Sequence, residues 1–151
     1  MRPLLPTRRR ALLARRDSHA LMKRTITVSS RALGERCHVT VYVYDRLDDM
    51  RAAAEAYNSN DCSDVLAVTQ ARTDDTGRAD SVLIRLARGH LGTRIVSHEM
   101  HHAATALYGS AVADRVSRTA HLNHHNEPFA HLYSDLLHRL VGRLYTLGYY
   151  S

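Results

Sequence analysis

His98, Glu99 and His102 follow one another as His-Glu-x-x-His inside a segment, 93–108, that reads as a helix. Residues four apart on a helix lie one turn above each other on the same face. The two imidazoles can therefore reach one metal ion, and Glu99 can reach a water bound to it. Zinc-dependent hydrolysis needs this residue set: the metal acidifies a water and a carboxylate takes its proton. The chain holds 11 histidines, which makes a chance match easier. Glutamate occurs only at Glu35, Glu55, Glu99 and Glu127, which makes it harder. A random chain of this composition would show the motif roughly 2 times in 100, so it outweighs the rival reading of a surface helix with scattered histidines.

Two histidines do not complete a catalytic zinc site, which takes three protein ligands and keeps one position open. The extended pattern His-Glu-x-x-His-x-x-Gly-x-x-His requires glycine at position 105 and histidine at position 108. Thr105 and Tyr108 stand there, which excludes that subclass. A third ligand must come from downstream. Glu127 is the first choice: it follows a loop and opens a second helix, where the positive end of the helix dipole favours a carboxylate. Its plain alternative role is that of an acidic first-turn residue. His125 is the next candidate, ahead of His121, His124 and Asp114. A histidine left unused could steady an oxyanion. His101 projects about 60° to the other side of His98, as a residue supporting the ligands or lying on the surface. His131, one turn beyond Glu127, could hydrogen-bond to the site. His138 is expected at the surface or the core edge.

Several elements must position these side chains. Strands are expected over 25–30 and 37–44, the second from the alternation of Val39, Val41 and Val43 with Thr40, Tyr42 and Tyr44. Asp45 is the expected N-cap of a helix running to about Tyr57. Val65–Thr69 and 81–88 read as further strands around a polar turn at 73–80. The motif helix, 93–108, is expected to end at Gly109. Residues 110–126 read as a short helical piece and a loop. The last helix begins near Glu127, tolerates Pro128 in its first turn, and carries an apolar stripe that includes Phe129, Leu132, Leu136, Leu140 and Leu144. The order predicts an α+β domain: a small, mostly antiparallel sheet packed on helices.

The overall charge of +6 divides unevenly. Residues 1–24 hold eight basic side chains against one acid, and the remaining residues hold 13 arginines against 14 acids, a net −1. The body therefore carries no charge signature of nucleic-acid binding. Residues 1–22, with Pro3, Pro6 and clustered arginines, are expected to form a disordered basic tail. Met22-Lys23-Arg24 followed by a strand also reads like a natural start, so the tail is expected to be dispensable or a misassigned beginning. Residues 23–151 form one domain. No run of 18 apolar residues occurs, so no membrane-spanning helix is expected. Cys37 reads as a buried thiol and Cys62 as a loop residue; nothing pairs them.

His98-Glu99-Met100-His101-His102-Ala103-Ala104, followed by Asn126-Glu127-Pro128-Phe129-Ala130-His131-Leu132, resembles the zincin metallopeptidases whose third ligand is glutamate (gluzincins). More narrowly, it resembles compact metallopeptidases encoded by tailed phages and prophages of high-GC bacteria. The resemblance spans roughly residues 80–145. It implies a zincin-like fold, Zn2+ held by His98, His102 and Glu127, Glu99 as general base, a peptide or protein substrate, and a cytoplasmic setting. Where gluzincins often carry an aspartate four residues after the third ligand, this chain has His131. A weaker likeness to SprT-like proteases rests on His125 and Phe129, but Asn126 stands where those proteins have glycine. The expected function is hydrolysis of peptide bonds. The rival expectation is a non-catalytic, metal-stabilised phage accessory or assembly protein. A nuclease reading fails because its paired histidines would sit on a strand hairpin.

Overall fold

Alternating apolar residues and two long amphipathic stretches fold here into a single sheet with helices on both faces. The computed structural model describes residues 23–112 and 124–150. The expected tail, 1–22, lies outside the described residues, as do Asp114 and His121. The elements run β1 (Lys23–Ser30), β2 (Cys37–Tyr44), α1 (Leu47–Asn58), β3 (Val68–Thr73), β4 (Ala79–Ala87), α2 (Thr93–Val112) and α3 (Glu127–Thr146). The expected α+β class holds.

The strand order is β1-β2-β4-β3. β1 and β2 form an antiparallel hairpin across the turn at Gly34, from Lys23 opposite Tyr44 to Ser30 opposite Cys37. β3 and β4 form a second antiparallel pair. The two hairpins join through parallel β2 and β4, Thr40 opposite Leu83 through Tyr44 opposite Ala87. Parallel neighbours need a long crossover, which α1 and β3 provide. The sheet is thus mixed.

Strand alternation sorts the side chains between two faces. Ile26 and Val28, Val39, Val41 and Val43, and Val82, Ile84 and Leu86 point to one side, and all are buried. α2 covers them with Val96, Met100, Ala103 and Ala104, and α3 with Leu132, Leu136, Leu140 and Leu144. Each leucine of that stripe is fully buried, which contributes about 1.5–3 kcal/mol apiece. On the other face α1 sets Met50 against Tyr44 and Ala87.

α3 has defined ends. The Asn126 side chain accepts a hydrogen bond from the Phe129 N–H at 3.2 Å, an N-cap. At the far end Gly148, at φ +77°, turns the chain back so that the Tyr149 N–H reaches the Leu144 carbonyl at 2.9 Å. The Tyr150 hydroxyl then donates to the Leu91 carbonyl at 2.6 Å, tying the segment after α3 to the approach of α2.

Four local expectations require correction. Arg46, not Asp45, precedes α1, and no side chain caps that helix; the Asp45 carboxylate instead lies 3.9 Å from Arg88. The third strand begins at Val68 rather than at Val65, because the chain turns at 63–64, where the Val65 N–H reaches the Cys62 carbonyl at 3.4 Å, and bends at 66–67; it runs on to Thr73 with Gln70 inward and its amide satisfied. α2 runs through Gly109 to Val112, and the Ser110 hydroxyl, bonded to the Ala106 carbonyl, accepts from the Ala79 N–H at 2.6 Å. Cys37, expected to be buried, is half-buried, whereas Cys62 lies in a loop as expected and is buried there; both are free thiols. Burial pushes both thiols up from the usual cysteine range.

Candidate metal centre

The motif lies in the second turn of α2, where helical geometry divides its residues between core and surface. Met100, Ala103 and Ala104 are buried against the sheet, which leaves His98 and His102 exposed on the opposite flank. Their rings meet edge to face, and the two Nε2 atoms stand 3.1 Å apart. Zinc–nitrogen bonds are ~2.0–2.1 Å, so two nitrogens of a tetrahedral zinc are about 3.3 Å apart. The pair is thus spaced to share one ion through its Nε2 lone pairs, with the protons on Nδ1. A neutral pair can also form a ring-to-ring hydrogen bond at this distance.

Glu99 differs sharply from its neighbours. It is 7% exposed and is one of four buried polar or charged residues among those described. Thr69 of β3 explains how it is held: its Oγ1 lies 2.7 Å from Glu99 Oε2 and 2.9 Å from the Glu99 carbonyl. A hydroxyl has one proton, and a charged oxygen at the shorter distance is the stronger acceptor. The carboxylate is therefore fixed in orientation by an edge strand while the histidines remain open. Sequence reasoning missed Thr69, although it ends the apolar run Val65–Val68 as a hydroxyl.

β4, the strand just before the motif helix, offers no edge to an extended substrate. β4 is paired on both sides, with β2 and β3, so its backbone groups are used. Among the described residues the free edge on this side of the sheet belongs to β3.

The downstream residues are arranged around α3. Glu127 is its first residue and exposed, with Oε2 3.7 Å from His131 Nε2. In the first turn of α3 it is Phe129 that faces α2, its ring in contact with His101 and Tyr108 at centroid distances of 5.5 and 5.7 Å. Glu127 precedes Phe129 by two positions, about 200° around the helix, and so projects away from that contact. Asn126 caps the helix through Oδ1, while its Nδ2 is buried without a partner. His125 is exposed, and its ring lies tilted against that of His124 at a centroid distance of 3.8 Å. His101 packs between Phe129 and Tyr133, and the Tyr133 hydroxyl reaches the Ser97 carbonyl at 3.4 Å. His138 is exposed. The structure therefore brings together His98, His102 and the Glu99–Thr69 pair, and places Glu127 with His131. Among the described residues no group of three His, Cys, Asp or Glu converges to hold a metal.

Comparisons with protein families, curated proteins and solved structures find no match for this chain.

Proposed function

We propose that this protein is a zinc-dependent hydrolase of amide bonds, a peptidase whose centre is His98, Glu99 and His102. The observation that carries the reading is the 3.1 Å spacing of the two Nε2 atoms on the helix that also presents the buried, oriented Glu99. The donor set fits zinc: imidazole nitrogens and a carboxylate are its ordinary ligands. Glu127 is the proposed third ligand. To serve, its side chain must leave His131 and swing round the first turn of α3; His125 is the alternative donor.

Bound zinc would bring the pKa of a water towards about 7 and polarise the substrate carbonyl. Glu99 accepts the water's proton and delivers it to the leaving amine. Thr69 positions Glu99, since a base that is already oriented needs no rearrangement as the reaction proceeds. An extended substrate can align along the free edge of β3, beside the strand that supplies Thr69. Water-mediated cleavage of a peptide bond uses these parts and no covalent intermediate.

One observation favours a second reading. The Glu127–His131 contact occupies the proposed third ligand, which suits a centre without a catalytic ligand set, as in a non-catalytic accessory or assembly protein. Cleavage of a quenched-fluorescence peptide library separates the two. The peptidase reading expects zinc-dependent turnover that Glu99→Gln abolishes while its zinc content stays the same. Turnover that survives Glu99→Gln would sink it.

A further inference from the structure

At the sheet edge opposite β3, β1 has a strand partner on one side only among the described residues. A groove of about 780 Å³ runs beside it between β1 and α3, and none of His98, Glu99 and His102 lines it. A second groove of about 540 Å³ continues it along the same two elements, sharing Ser29, Asp135, His138 and Arg139. Thr27, Val28, Ser29 and Ser30 all line these walls. Consecutive strand residues point to opposite faces, and Val28 and Ser30 are buried towards the core. A wall built by all four is therefore the strand's edge, with outward N–H and C=O groups.

The charge beside this edge is predominantly basic. Arg31, Arg36 and Arg143 are exposed and have no carboxylate partner among the described residues. The walls hold a single acid, Asp135, and it is engaged by Ser30 and by Arg139, whose Nε lies 3.0 Å away. We propose that this edge binds an acidic peptide in extended form, which adds to β1 as a further strand while its carboxylates meet Arg31, Arg36 and Arg143. A second copy of the chain suits the edge less well, because its β1 brings the positive charges of Lys23, Arg24 and Arg31 to an edge that is already basic. A nucleic-acid strand matches the charge but not the backbone: phosphate oxygens only accept, and the outward carbonyls of β1 need donors. The surface shares no residue with His98, Glu99 and His102, and its one link to the proposed metal centre is His131, which lines the larger groove and lies 3.7 Å from Glu127.

The test is fluorescence anisotropy on the full chain with a labelled, alternating Glu-Val peptide of about eight residues, the length of a strand. Three probes accompany it: the Lys-for-Glu peptide, the acidic peptide N-methylated at alternate residues, and single-stranded oligothymidylate. Saturable binding of the acidic peptide is expected, with loss on N-methylation and on charge reversal of the probe. The double substitution Arg31→Glu and Arg36→Glu should weaken it about tenfold or more, with thermal unfolding confirming that the variant folds. Arg46→Gln, an exposed arginine at the start of α1, should leave binding unchanged. Absence of saturable binding, equal binding of the N-methylated probe, tighter binding of oligothymidylate, or indifference to the double substitution would each overturn the proposal.

Discussion

Thr69→Val removes a hydroxyl and keeps the shape of the side chain, so its cost measures what holds Glu99. The hydroxyl lies 2.7 Å from a carboxylate oxygen on a residue that is 7% exposed. Hydrogen bonds to charged groups contribute about 1.5–3 kcal/mol, and a buried acceptor that loses its donor also loses the compensation for its burial. The expected destabilisation is therefore about 2 kcal/mol at neutral pH, measured by urea unfolding in chelator so that metal binding adds nothing. At a slope of roughly 1–3 kcal/mol per molar urea the midpoint should fall by about 1 M. Part of any cost belongs to the valine itself, and a double-mutant cycle with Glu99→Gln separates the two. With the charge gone, Thr69→Val should cost at least ~1 kcal/mol less than in the parent protein. A cost below ~0.5 kcal/mol in the parent, or the same cost in both backgrounds, would refute the claim that Thr69 orients the carboxylate.

Further outcomes follow from the packing and the charges. Leu136→Ala opens a fully buried position between α3 and the sheet, and should cost about 2–5 kcal/mol in the same unfolding assay. Asp135 is held below the usual carboxylate range by the Ser30 hydrogen bond first and Arg139 second. A depressed folded pKa stabilises the fold above the unfolded value of ~3.9. The stability gap between the parent and Asp135→Asn should thus be full at neutral pH and vanish as pH falls through the folded value; a gap that widens on acidification would contradict the assignment. Arg85 is a buried guanidinium that donates to Gln70 at 2.8 Å and to the Tyr44 hydroxyl. Arg85→Leu leaves both acceptors without their donor, and chemical denaturation should show a loss of about 1–3 kcal/mol.

The helices were the most legible part of the chain. In α2, the histidine spacing and the buried Met100, Ala103 and Ala104 obey one 3.6-residue period, so exposure of the pair followed from the pattern. In α3 the stripe from Leu132 to Leu144 did the same. The strands were harder, because polar residues sit at buried positions there. Gln70 and Arg85 satisfy each other across β3 and β4, and Gln70 also donates to the Ala54 carbonyl. Neither bond leaves a trace in hydropathy, so β3 looked shorter and earlier than it is. Strand order was equally hidden: nothing in the Val82–Leu86 run announces that both its edges are paired. The histidine pair and Glu99 needed only local spacing, whereas Thr69 joins them from 30 residues away.

The central claim is that His98 and His102 share one metal ion beside a carboxylate that is not itself a ligand. Zinc titration by isothermal calorimetry, on the parent protein and on His98→Ala, His102→Ala and Glu99→Gln, tests it most directly. The account predicts one zinc per chain for the parent and for Glu99→Gln, and loss of binding in either histidine variant. Zinc bound equally by His98→Ala and His102→Ala, or not bound by the parent at all, would contradict it.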